Sequence, residues 1–175
     1  MAGRARSNSC FALDIALTYH TANYAGMSDI IDEICTRMAR YPHAEIEHDS
    51  SSITYYPPSP DGFIVRLVVR RAPQSERYFV YYAGCCQPEQ NRDWSVFNFG
   101  WGLSTGCRVR EFSRSGLVYR WITDISVFPA SGWKPYCEWF RLSTALWQFW
   151  RRPTVEILRN ELIGLDSGCG GGRHC

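Results

Sequence analysis

The stretch FIVRLVVRRAPQSERYFVYYA, residues 63–83, decides the fold class. In its first half Phe63, Val65, Leu67 and Val69 alternate with Ile64, Arg66, Val68 and Arg70. That two-residue period belongs to a strand whose successive side chains point to opposite faces. Residues 72–76 carry turn chemistry around Pro73. From Arg77 to Ala83 the alternation resumes, with Tyr78, Val80 and Tyr82 against Phe79 and Tyr81. Two alternating runs joined by a short polar turn predict an antiparallel hairpin. A hairpin with an apolar face needs a helical or sheet layer to cover it, and helical signals lie on both sides.

Upstream, Ser28 is expected to cap a helix that ends before Pro42. Asp29, Asp32 and Glu33 place negative charge in its first turn, Arg37 and Arg40 place positive charge near its end, and Ile30, Ile31, Ile34, Cys35 and Met38 form its apolar stripe. Its start beside Met27 points to a domain that begins there, with residues 1–26 a loose extension. Ala44–His48 and Ser52–Tyr56 read as short strands, and PPSPDG, residues 57–62, as a turn.

Downstream, Gly84–Asp93 reads as a polar loop and Trp94–Leu103 as a short amphipathic helix. Cys107–Phe112 and Leu117–Asp124 read as strands joined by the tight turn Ser113, Arg114, Ser115, Gly116. Residues 128–143 show no period, and Leu146–Trp150 is a candidate strand. Pro153 suits the first turn of a closing helix, with Val155, Leu158 and Leu162 as its stripe and Gly164 as its cap. The expectation is one α+β domain, residues 27–163. An antiparallel sheet of about five strands would be packed by an N-terminal, a short central and a C-terminal helix, with residues 164–175 a flexible glycine-rich tail.

The segments FVYYAGCCQPEQNRDWSVFNFGWGLSTGCRVREFSRSGLVYRWITDI (79–125) and FWRRPTVEILRNELI (149–163) resemble a group of small bacterial proteins that carry no assigned function. The shared pattern runs through Gly84, through Phe99–Ser104, where this chain has two extra residues, through Cys107 and Arg108, Arg114–Gly116, Tyr119–Trp121 and Phe149–Pro153. The resemblance spans roughly residues 27–163. It implies a single domain that starts at Met27, and it implies no activity.

A chain of 175 residues is long enough for one domain with a substantial core. Its net charge of +2 is too small to argue for a nucleic-acid or anionic-membrane partner by itself. Lys134 is the only lysine, so the positive charge is almost wholly arginine, which offers a planar bidentate fork. An aromatic content of 15% is high, so the core is rich in large residues or some rings are on show at a binding surface. No window approaches the ~18 apolar residues of a membrane span, and no secretory leader is evident. The eight cysteines are therefore expected as reduced thiols in the cytoplasm.

No catalytic or cofactor signature occurs at a specific spacing, and no cofactor is expected. A nucleophilic cysteine needs a base within hydrogen-bond reach, and Cys107 with His48 is the one pair to sketch, on the supposition that their strands are neighbours. Cys85 and Cys86 are adjacent, which lacks the C-x-x-C geometry of a redox helix. Glu45 and Glu47 share a strand face that reads as solvated. Cys169, His174 and Cys175 are weak candidate metal ligands in a glycine-rich tail. Arg108 and Arg110 share a face of one strand, and Tyr119 and Trp121 share a face of the next. Interleaved arginine and aromatic side chains on a sheet are also the ingredients of single-stranded nucleic-acid binding. The reading is a non-catalytic binding or adaptor domain for a protein or small-molecule partner, without a membrane role. Its candidate ligand residues are Trp94, Trp101, Tyr119, Trp121, Arg108 and Arg110. An enzyme of unknown class ranks second and a nucleic-acid binder third.

Overall fold

A computed structural model of the chain describes residues 29–126, 132–141 and 150–164. The elements run α1 (Ile30–Met38), β1 (Glu45–His48), β2 (Ser52–Tyr56), β3 (Val65–Ala72), β4 (Ser75–Tyr82), β5 (Cys85–Cys86), α2 (Arg92–Gly102), β6 (Cys107–Arg114), β7 (Leu117–Ile125), β8 (Lys134–Phe140) and β9 (Thr154–Arg159). The fold is α+β, but the strands form two antiparallel sheets rather than one. The first has the order β1-β2-β3-β4-β5 and the second β8-β7-β6-β9. No helix among the described residues is long and apolar enough to cross a membrane.

The hairpin that decides the class is β3–β4, in register from Val65 opposite Tyr82 to Ala72 opposite Ser75. Its inner face, Val65, Leu67, Val69, Tyr78, Val80 and Tyr82, is buried with Ile53 and Tyr55 of β2. Against this face pack Ile30, Ile31, Ile34 and Met38 of α1 and Val96, Phe99 and Trp101 of α2. The core continues into the second sheet through Cys107, Val109 and Leu158.

Asp29, not Ser28, caps α1, its carboxylate accepting from the Ile31 N–H at 3.0 Å; Ser28 lies outside the described residues. Asn91 caps α2 in the same way through the Trp94 N–H. Arg92 bridges the helices, 2.6 Å from Glu33. At Gly102 the helix touches the first sheet so closely that a Cβ there would stand 2.5 Å from Tyr82 Cε1.

Three further expectations are corrected. Residues 84–93 are not wholly loop. Ala83 and Gly84, both at positive φ, turn the chain tightly enough for Cys85 and Cys86 to pair with Tyr82 and Tyr81. Residues 134–140 are not irregular but form β8, whose pairing with β7 shifts register beside Asp124; Pro135 and that shift hide its alternation. The C-terminal helix is absent. Thr154–Arg159 is a strand, antiparallel to β6. Thr154, Val155 and Ile157 are β-branched, and the open edge of β6 offers backbone partners that outweigh a weak helical stripe. Residues 146–149 of the proposed last strand, and residues 165–175 of the proposed tail, lie outside the described residues, as do residues 1–26.

Asn160 locks the two sheets together. Its side chain is buried between them, accepting from Phe63 N–H at 3.0 Å and donating to the carbonyls of Phe63 at 2.8 Å and Gly102 at 2.9 Å.

Candidate functional site

The second sheet carries two unlike faces. On the inner face Cys107, Val109, Thr123 and Leu158 are buried, while Trp121 is half-buried against the core. The outer face holds Arg108, Arg110 and Phe112 of β6, Arg120, Ile122 and Asp124 of β7, Glu138 and Phe140 of β8, and Val155, Ile157 and Arg159 of β9, as the cross-strand register dictates. The expected ligand set therefore divides. Arg108 and Arg110 lie outside and Trp121 inside, while Tyr119, at the bulge beside Phe112, sets its ring against Phe140 and Arg114. Trp94 and Trp101 belong to α2, where Phe97 stands edge-on to the first and stacked on the second. Trp94 is largely exposed and Trp101 is buried. No ring contact joins either of them to Trp121 among the described residues.

On the inner face the Trp121 indole donates to Glu111 at 2.8 Å. Burial holds the Glu111 carboxyl above the usual carboxylate range, against the opposing effect of that hydrogen bond, and the charge of Glu156 adds to the rise.

The outer face is built from guanidinium groups laid over rings. Asp124, 1% exposed at its side chain, accepts from Arg108 Nε at 2.8 Å and from Arg110 Nε at 2.7 Å and Nη2 at 2.8 Å. Arg120 binds Glu138 at 2.7 Å. Trp133, just before β8, lies under both Arg108 and Arg159, at 4.4 and 5.4 Å from its ring centre. Phe112 lies between Arg110 and Arg120, at 5.9 and 5.0 Å. These are cation–π distances. Four arginines face two carboxylates, an excess of two positive charges. Beside them Val155, Ile157 and Phe140 are 49%, 46% and 47% exposed. The shared face of Arg108 and Arg110 was legible in the sequence, but the rings expected beside them were Tyr119 and Trp121, not the Trp133 and Phe112 that lie under their guanidinium groups. Trp133, Arg120, Arg159 and Ile157 were missed, because their strand pairing was not legible.

The sketched thiol site does not assemble. Cys107 is fully buried in the second sheet, whereas His48 is exposed on the edge strand of the first. Burial pushes the Cys107 thiol far up, and the charge of Asp124 adds to this. Cys85 is buried too, and its thiol is pushed up to about 12, mainly by desolvation. Neither is a ready nucleophile at neutral pH. Glu45 and Glu47 are exposed, and Glu47 accepts from the Tyr56 hydroxyl at 2.8 Å. No group of three or more histidine, cysteine or acidic side chains among the described residues is placed to hold a metal ion; Cys169, His174 and Cys175 lie outside them.

No family model, no curated protein and no solved structure matches the chain.

Proposed function

We propose that the chain is a non-catalytic binding module whose working surface is the outer face of the second sheet. The observation that carries this reading is the conjunction on one face of arginines held flat over Trp133 and Phe112 with exposed Val155, Ile157 and Phe140. A sheet face that serves only as a solvated exterior has no need of fixed cationic planes beside exposed apolar side chains. Fixed arginines give up less conformational entropy when they bind, which favours affinity. The excess positive charge selects an anionic partner. The cytoplasm as its place of work, supported by the free thiols of Cys35, Cys85, Cys86, Cys107 and Cys137, and kinship with the small bacterial proteins, belong to the same proposal.

The test is fluorescence anisotropy with two anionic probes, an acidic peptide and a single-stranded oligothymidylate, against the wild type and the reversal Arg159→Glu, at a guanidinium that pairs with no carboxylate among the described residues. Binding by the wild type that the reversal abolishes is the expected result. A wild type that binds neither probe up to millimolar concentration would overturn the reading.

A further inference from the structure

We propose that β9 is an open docking edge, which takes an extended acidic segment of a partner protein as a fifth strand of the second sheet. The proposal rests on the outer face being the binding surface, and it names the partner's chemistry and the way it docks.

In an antiparallel ladder, alternate residues turn both their N–H and C=O toward one neighbour, and the residues between them turn theirs to the opposite side. The Arg159 N–H leaves the sheet to bond the Asp61 carbonyl at 2.7 Å. Arg159, Ile157 and Val155 therefore direct their backbone groups away from β6. The alternation holds across the sheet, since the Tyr119 carbonyl, facing β8, accepts from the Arg141 N–H at 2.7 Å. Among the described residues nothing bonds the outward groups of Val155 and Ile157. Their side chains are also exposed on the outer face. An edge with unpaired backbone groups and exposed β-branched side chains is a template for another strand, and extended peptides are recognised this way in other proteins.

The charge beside the edge selects the occupant. Arg108 and Arg159 are directly opposite one another across β6 and β9, a like-charge pairing that disfavours the sheet unless anions compensate. Among the described residues the one carboxylate that pairs with either is Asp124, which Arg110 also shares. Arg159 lies over Trp133 and is held by no carboxylate among the described residues. A strand added at β9 would set its outer-face side chains beside Ile157, within reach of Arg159. Carboxylates there would supply the missing negative charge. Nucleic acid is the weaker occupant: the rings it would stack on, Trp133 and Phe112, already have guanidinium groups over them, and it cannot extend a backbone ladder.

The experiment uses a fluorescent eight-residue peptide of alternating glutamate and valine, and the same peptide N-methylated at its two central amides. Methylation removes one donor from each edge and leaves charge and side chains unchanged. The wild-type protein should bind the parent peptide and lose more than about tenfold in affinity for the methylated one. Ile157→Pro, which deletes an outward N–H and no bond to β6, should show a comparable loss with a near-native melting midpoint, and Ile157→Val, which keeps the N–H and a β-branched side chain, should keep most of the affinity. If the proline variant fails to fold, the peptide pair on wild type decides alone. Equal binding of the two peptides would overturn the docking edge while leaving the binding face standing. Binding of oligothymidylate alone would overturn it in the same way. Binding of no probe would remove both readings.

Discussion

Replacing Asn160 by alanine should destabilise the fold by about 3–5 kcal/mol, near the top of the range for single substitutions. The magnitude follows from its three partners. The Phe63 N–H, the Phe63 carbonyl and the Gly102 carbonyl all bond the one amide, in a buried setting. Leaving a buried polar group unpaired costs about 1–3 kcal/mol. Three such groups would exceed the observed range if nothing relaxed, but the small void left by truncation admits some repacking or a water, which returns part of the loss. Asn160→Asp sharpens the test, because it keeps the volume and the acceptor for Phe63 while turning the two donated bonds into repulsions. At neutral pH it also buries a carboxylate with no cation beside it, so the aspartate variant should be at least as unstable as alanine. It should recover partly in acid, where the protonated carboxyl can donate to one carbonyl. Urea denaturation followed by tryptophan fluorescence gives the midpoint and slope directly. A loss below about 1 kcal/mol for alanine, or a near-native aspartate variant, would refute the view that this amide joins the sheets.

Glu111→Gln should be at least as stable as the wild type at pH 7. The folded carboxyl is held above its ordinary 4.5, so the folded state holds the proton more tightly than the unfolded one, and stability is lost as pH rises from 4.5 through the folded value. Urea midpoints at pH 4 and pH 7 check this; an equal destabilisation at both would contradict it. Gly102→Ala should cost about 1–3 kcal/mol by overpacking against the buried Tyr82 ring, and a neutral thermal midpoint would show that the helix can shift instead. Cys85 and Cys107 should resist iodoacetamide at pH 8 in the folded protein and react once it is unfolded in urea, because burial keeps both thiols protonated; mass spectrometry of the alkylated peptides decides.

The first half of the domain was legible because its signals are local. In β3 the structure buries the wholly apolar face that the alternation marks; in β4, where both faces carry rings, pairing with β3 selects Tyr78, Val80 and Tyr82 for burial. The same holds for α1, whose stripe is continuous, though its cap is Asp29 rather than the serine before it. The second half was illegible where structure depends on partners distant in sequence. Val155, Leu158 and Leu162 fit a helical stripe, and Pro153 suits a helix start. What makes residues 154–159 a strand is the free edge of β6, some forty residues earlier in the chain. The candidate site shared this fate. Arg108 and Arg110 could be placed on one face of their strand, yet which rings they meet depended on the pairing of β8 and β9.

The outer face also shows why composition alone misjudged the arginines. Read from the sequence, Arg108 and Arg110 share a strand face, but Arg120 and Arg159 are unremarked charges in a chain of small net charge. Folded, three of them converge with Asp124 or Glu138, and Trp133 and Phe112 fill the spaces between the guanidinium planes. Asp124 contributes most to holding them there, because a carboxylate that is 1% exposed would be a severe burden without its two cations. The pairing is lopsided. One buried anion organises two arginines, a third stands opposite one of them across the strands, and the resulting surplus of positive charge borders the β9 edge, where the outward backbone groups of Val155 and Ile157 have no partner among the described residues. An exterior evolved only for solubility would intersperse charges of both signs. On the outer face the charges next to the open edge are Arg110 and Arg159, and that coincidence of an unfilled ladder with unbalanced charge is the physical ground for expecting an acidic strand to complete both.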